Sequence, residues 1–440
     1  MSQSLLEIEP LPEVKVNVGL TPDQDGSSAI TYGKLRGEID RQAEHLDGRW
    51  DSFFNLPEGD IEESLQARRL AETYLLQTAI RGLQSWDDPE KERLWQERFT
   101  QASIELYGQP DEKVVRGLAA NERNLLLEFV DNPDVDQDIL RKVIDVYDYV
   151  AGHSEEEAIP ELSHEAFEAV EAFFSGETNS KVLEVADSLE DRPYTPKELV
   201  GIFRGAINIL KSDDPNWEVW EVELVDQSGL SIDPEKKIIR IGERRSSAYP
   251  AEVKKLLGHE LLIHALRATN ALRQSDGLLR ETLPEYGVFE EGLGIVAEVV
   301  ISGERSEKAI NRYIDIALAL GTNNYLLSRK ELFEFAYNRQ ILANQIKGKP
   351  VDHKAIEKDT WTHIDRIFRG GDGGEDSKAV YTMYSYYYAG YVKAVNFINK
   401  ALASGVKADK LIEYIMQAKS DPTNPTHKKY IKEKGLVPSL

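Results

Sequence analysis

The sequence predicts an α+β chain, predominantly α-helical, with a small β-sheet just ahead of a histidine-bearing helix. Three features support that class. Apolar residues recur at helical spacing over most of the chain. Two short alternating runs, WEVWEVELV (217–225) and KKIIRIG (236–242), form an island of strand pattern. The apolar stretch VKKLLGHELLIHALRA (253–268) then returns to helix and carries His259, Glu260 and His264 at its centre.

The 440 residues carry a formal net charge of −24 and include no cysteine. Nucleic acid and anionic membrane are disfavoured as partners, because both would repel the chain. An acidic ligand would need a local basic pocket. Without cysteine there are no disulfides, thiolate metal sites or cysteine nucleophile, so any zinc site must use histidine and carboxylate. No apolar run approaches the ~20 residues that cross a bilayer. The opening MSQSLLEIEPLPEVKVNVGL lacks a basic segment followed by an apolar one. The expectation is a cytoplasmic protein.

Residues 1–31 read as a flexible arm mixing Pro, Gly, Asp and Ser. Residues 32–180 read as a helical N-terminal region. Ala67, Leu70, Ala71 and Tyr74 share one helix face, and further helices fit DPEKERLWQERFTQASIELYG and DQDILRKVIDVYDYVAG. An acidic loop then leads to a helix that Ser163 can cap. Residues 181–420 form the domain that carries the chemistry. It begins with TPKELVGIFRGAINIL (195–210), capped by Thr195 with Pro196 at its first position. Two strands follow, with DQSGLSIDPE as a long turn between them. Helices are predicted at 250–272, 286–302, 306–320, 328–346, 354–368, 376–400 and 407–418. Residues 421–440 read as a turn-rich, peripheral tail.

The central motif is H-E-x-x-x-H. Five steps on a regular helix leave two side chains about 140° apart, too far round for one ion. A π-type bulge absorbs one residue and restores a shared face, and one is predicted at 260–264. Two neutral imidazoles and a third protein ligand leave zinc an open position for water, which the metal acidifies. Glu260, beside the first imidazole, suits proton transfer from that water to a leaving amine. The alternative is a pair of ordinary core histidines. Downstream, EYGVFEEGLGIVAEVV (285–300) opens a second apolar helix with Glu290 and Glu291, either of which can supply the third ligand. Gly292 and Gly294 permit close helix approach. The plain alternative is that these acids complement a helix dipole.

With these two elements in order, the chain resembles the QEGLA-motif family that includes the microtubule-associated tyrosine carboxypeptidases. The matching stretches are GHELLIHALRATN, with His264, Leu266, Arg267 and Asn270 in the family's H-x-L-R-x-x-N, and FEEGLGIVAE. DRIFRGGDGGEDSKAVYTMY resembles the family's R-x-F-R-G-G segment followed by a Lys and a Tyr. The likeness spans roughly residues 40–400. It implies a gluzincin-like zinc metallopeptidase domain with Zn2+ held by His259, His264 and Glu291, and with Glu260 as catalytic acid/base. Lys378 and Tyr381 match the family's Lys and Tyr, which makes Tyr381 the expected donor to a tetrahedral oxyanion. This chain departs from the pattern at Glu290, where the family has Gln, and at Gly294, where it has Ala. The first change leaves a Glu290-for-Glu291 exchange open.

A carboxypeptidase must hold a terminal carboxylate, and arginine's fork suits both oxygens. Arg267, Arg366 and Arg369 are the candidates, with Lys378 beside them. Tyr384, Tyr388 and Tyr391 read as core or pocket wall. The strand at 236–242 is either a substrate-pairing edge or an internal strand. His45, His153, His164, His353, His363 and His427 read as surface or incidental, with His363 set apart because it precedes DRIFRGG. The expected activity is hydrolysis near the C-terminus of a peptide or protein, with tyrosine preference suggested by the resemblance. Two readings compete: a dipeptidyl-peptidase-type or other zinc amide hydrolase, and a non-catalytic helical scaffold.

Overall fold

The computed structural model describes residues 88–152 and 159–434, except 228, 281–282 and 370–376, together with Arg68, Ala71, Glu72, Leu75, Thr78, Ala79 and Arg81. The expected arm at 1–31, the positions Ala67, Leu70 and Tyr74, His45, His153 and the glycines at 370–374 lie outside the described residues.

The chain is predominantly helical with one small sheet. Ahead of the sheet the described residues include α1 (Pro89–Tyr107), α2 (Glu112–Leu127), α3 (Gln137–Ala151), α4 (His164–Phe174), α5 (Glu177–Asp187) and α6 (Pro196–Asp213). Most start where the sequence supplies an acceptor for the free N–H groups of a first turn. Asp88, Asp111, Asp136 and Ser163 each accept from the following turn. Thr195 and Glu198 close a reciprocal capping box at α6.

A short 3-10 turn at Pro215–Val219 precedes β1 (Glu221–Val225), β2 (Leu230–Asp233) and β3 (Ile238–Gly242). The strand order is β1-β3-β2, with β1 parallel and β2 antiparallel to β3. The stretch expected as a long turn thus contains a strand of its own. Asp233 stitches the hairpin, accepting from Lys236 N and Arg240 Nη2, both at 2.9 Å. β3 is central, with Ile239 and Ile241 sealed from solvent. It is therefore an internal strand and not a free substrate-pairing edge.

The remaining elements are α7 (Pro250–Leu256), a π-helix (Leu257–Ala265), α8 (Leu266–Ala271), α9 (Gly277–Arg280), α10 (Gly287–Ser302), α11 (Glu307–Leu320), α12 (Arg329–Ile346), α13 (His353–Ile367), α14 (Tyr386–Ala403), α15 (Ala408–Met416) and α16 (Pro425–Glu433). α14 starts about ten residues later than predicted. The preceding segment stays extended because its backbone donors are taken by polar side chains of α1. Lys378 N donates to Gln96 Oε1, Val380 N to Thr100 Oγ1 and Thr382 N to Ser103 Oγ.

One continuous apolar core runs from Val115 on α2 to Met416 on α15, and α4 packs on α10, α14 and α15. The expected boundary at 180/181 therefore divides helices that share a core. The tail also differs from expectation: Asp421, His427 and Ile431 are buried, and Asp421 N donates to His427 Nδ1 at 2.9 Å. His427 is thus a structural residue. So is His363, whose Nε2 lies 2.6 Å from buried Asp315; burial lowers its pKa below the ordinary value against the pull of that carboxylate. Among the described residues no helix is long and apolar enough to cross a membrane.

Candidate metal centre

Local helix geometry accommodates the five-residue histidine offset. The π-helix is continuous with α7 and α8 and is longer than the bulge predicted at 260–264. Its wider turn brings the rings of His259 and His264 within 4.7 Å, centroid to centroid.

α10 packs directly against the π-helix and delivers Glu291. Its Oε2 lies 3.6 Å from His259 Nε2 and 3.8 Å from His264 Nε2. Ligand atoms of the three residues all lie within 4.8 Å of one another. Two donors on one tetrahedral zinc stand ~3.4 Å apart, so each histidine–glutamate edge is within a few tenths of an ångström of binding separation.

The other ring nitrogens face carboxylates. His259 Nδ1 pairs with Glu298 Oε1 at 2.7 Å, and His264 Nδ1 with Glu290 Oε1 at 3.1 Å. A proton on each Nδ1 leaves each Nε2 lone pair turned toward Glu291, the arrangement in which imidazoles bind metal. Glu290 is occupied elsewhere: it also pairs with the Arg267 guanidinium and, at 2.9 Å, with Lys419 Nζ. The geometry therefore presents Glu291 to the histidines and gives Glu290 the work of orienting His264.

Electrostatics at the cluster favour a cation. Burial alone would lower His259, but Glu291, Glu298 and Glu260 hold it well above the ordinary value. Burial and the His259 charge push His264 the other way, against Glu291. Glu291 is held down at about 2, because the two imidazoles outweigh its burial. Burial raises Glu260, the direction that suits a carboxylate exchanging protons.

Gly294 gives the family departure a structural meaning. A Cβ there would fall 2.4 Å from His259 Nε2, so His259 lies against α10 because Gly294 has no side chain. Gly292 meets α14 instead: a Cβ would sit 2.0 Å from the Gly390 carbonyl oxygen.

The other expected site residues divide. Arg267 is not a free carboxylate clamp. It is 0% exposed and donates from Nε to Ile415 O at 3.0 Å and from Nη2 to Ser420 O at 2.7 Å, while Nη1 meets Glu290. Asn270 Nδ2 donates to Met416 O, so the H-x-L-R-x-x-N residues tie the histidine-bearing helix to the end of α15 and the segment after it. Lys378 is exposed. Arg369 lies over the Tyr381 ring, 5.8 Å from its centroid. Tyr381 donates to Met383 Sδ at 2.9 Å and packs among Phe99, Tyr107 and Tyr384. Its strongest electrostatic neighbours are Tyr107, Arg369, Tyr384 and Glu72. Tyr387 is the phenol coupled to the cluster: the Glu291 charge first, then burial, pushes it up and keeps it a proton donor. Arg366 is half-buried and lies in the field of Lys308 and Arg312.

Sequence reasoning missed Glu298, Lys419, Tyr387 and Arg312. Glu298 had a signal, being an acid two turns after Glu291 in an otherwise apolar helix. Arg312 had one too, as a cation inside the apolar run of α11. Lys419 had none, because only the fold returns that segment to Glu290.

No known protein family, curated protein or solved structure matches this chain. The resemblance to the QEGLA-motif family rests on the motif residues themselves.

Proposed function

We propose that this protein is a zinc-dependent metallopeptidase of the gluzincin type, acting as a carboxypeptidase on the C-terminal tail of a peptide or protein. The observation that carries the reading is the close triangle of His259, His264 and Glu291, with Glu260 as the residue adjoining His259. Zinc, when bound, supplies Lewis acidity toward water and the scissile carbonyl. Glu260 accepts the proton of the attacking water and returns it to the leaving amine. The Tyr387 phenol, which the Glu291 charge keeps protonated, donates to the developing oxyanion. Glu298 and Glu290 fix the two imidazoles, and Arg267 and Lys419 fix Glu290.

The test is metal analysis of the full chain, followed by a C-terminal peptide library with free and blocked ends. Wild type is expected to hold one zinc per chain. Glu260→Gln should keep the metal and lose turnover by about 10²–10⁴-fold, and His264→Ala should lose both. A chain without stoichiometric metal, or undiminished turnover in Glu260→Gln, removes the reading. Cleavage that survives blocking of the C-terminus and stops on blocking of the N-terminus favours a dipeptidyl-type hydrolase, and the library decides tyrosine preference.

A further inference from the structure

Arg312 stands out among the buried cations. Arg267 and Lys419 share Glu290, and Arg329 pairs with Asp365. Arg312 is 8% exposed, yet it has no hydrogen-bond or ion-pair partner among the described residues. What holds it is aromatic: its guanidinium carbon lies 5.3 Å from the Tyr384 ring centroid and 5.1 Å from that of Tyr387. Those rings are within 6° of parallel. π faces steady a cation without using its N–H groups, so the fork keeps its donors. None of its nitrogens is among the fully sealed, unpartnered atoms, so they border accessible space.

The surroundings add positive charge. Lys308 lies one turn earlier on α11, and Arg366 comes from α13; both raise the potential at Arg312. Lys308 is open to solvent by area, but surrounding protein and these two guanidiniums lower its ammonium to about 8. The Glu291 charge reaches Arg312 as well as Tyr387, which sets this cationic cluster beside the metal centre. An unpaired buried charge is costly, and a fold that keeps one next to a reaction centre is built for an anion supplied from outside.

We infer that Arg312, held against the rings of Tyr384 and Tyr387, receives the free carboxylate of the substrate and makes the site selective for a chain terminus. This rests on the metallopeptidase reading and deepens it. The planar fork matches both carboxylate oxygens. It takes the role expected of Arg267, whose donors are already engaged, with Arg366 and Lys308 reinforcing the field.

The test compares N-acetyl-tyrosine with N-acetyl-tyrosinamide, which differ in the carboxylate, by calorimetric titration of the full chain, both zinc-loaded and chelator-treated. Wild type should bind the acid at least tenfold more tightly than the amide in both forms. Arg312→Gln should lose that preference while keeping its affinity for the amide, its zinc content and its melting temperature. Arg312→Lys should keep part of the preference. No preference in the wild-type chelated chain, or an undiminished one in Arg312→Gln, overturns the inference. The chelated titration needs neither metal nor turnover, so an Arg312-dependent preference in a chain that fails the zinc test would sink the metallopeptidase reading and leave the carboxylate seat standing.

Discussion

Two buried arginines near the His259–His264–Glu291 cluster are handled in opposite ways. Arg267 has its fork shared among Glu290, Ile415 O and Ser420 O, with Lys419 also on Glu290. Arg312 lies against two tyrosine rings and has no carboxylate partner among the described residues. Burial is nearly the same, so burial does not explain the difference. The pairing does: Arg267 has its counter-charge in Glu290, and Arg312 has none among the described residues, which is the ground for the proposed carboxylate seat.

The contrast can be broken most directly by stability. Arg267→Met should destabilise the chain by about 3–5 kcal/mol in denaturant unfolding, because it removes one partner of a buried charge network. Arg312→Met should leave stability unchanged or raise it by about 1 kcal/mol, because it removes a buried charge that has no pair among the described residues. Equal losses in the two variants would end the distinction.

Between those extremes lie two changes at His259. Glu298→Gln weakens the acceptor that orients the ring, and zinc affinity should fall about 10–100-fold in a competitive chelator titration. Gly294→Ala places a methyl against the ring and should lower affinity toward the same range, with little change in global unfolding. Unchanged affinity in both would mean that the ring's orientation does not matter to the metal.

The smallest effect is electrostatic. The Lys308 ammonium is lowered from its ordinary 10.5 to about 8, by surrounding protein first and then by Arg312 and Arg366, with Arg245 adding to them and Glu298 opposing. Between those pH values the unfolded chain holds a proton that the folded chain has released, so stability rises with pH. Unfolding of wild type against Lys308→Met should show that rise in wild type from pH 8 to above 10. A flat difference would mean that Lys308 does not feel the cationic cluster.

Much of the site was legible because its parts are local. H-E-x-x-x-H has the wrong offset for a regular helix, and that mismatch alone called for π geometry. Glu290 and Glu291 opened an apolar helix at a plausible remove. The choice between them was not legible, because it depends on Arg267 and Lys419 closing on Glu290, and Lys419 arrives from more than a hundred residues away. The same limit explains β2 and the tail. Both look like turns in isolation, and both gain order from partners that periodicity does not reveal, β3 for one and the cluster of Ala271, Leu279, Leu283 and Tyr414 for the other.

By itself, the sequence determined the helical class, the island of strands, the absence of thiolate chemistry and the bulged histidine helix, since each follows from backbone periodicity or from side-chain types within a few residues. Tertiary packing decided which glutamate faces the imidazoles, which tyrosine feels the Glu291 charge, and which buried arginine has no ion-pair partner among the described residues. Those outcomes turn on pairing between distant segments, and a charge shows its purpose only when its counter-charge is seen to be present or missing.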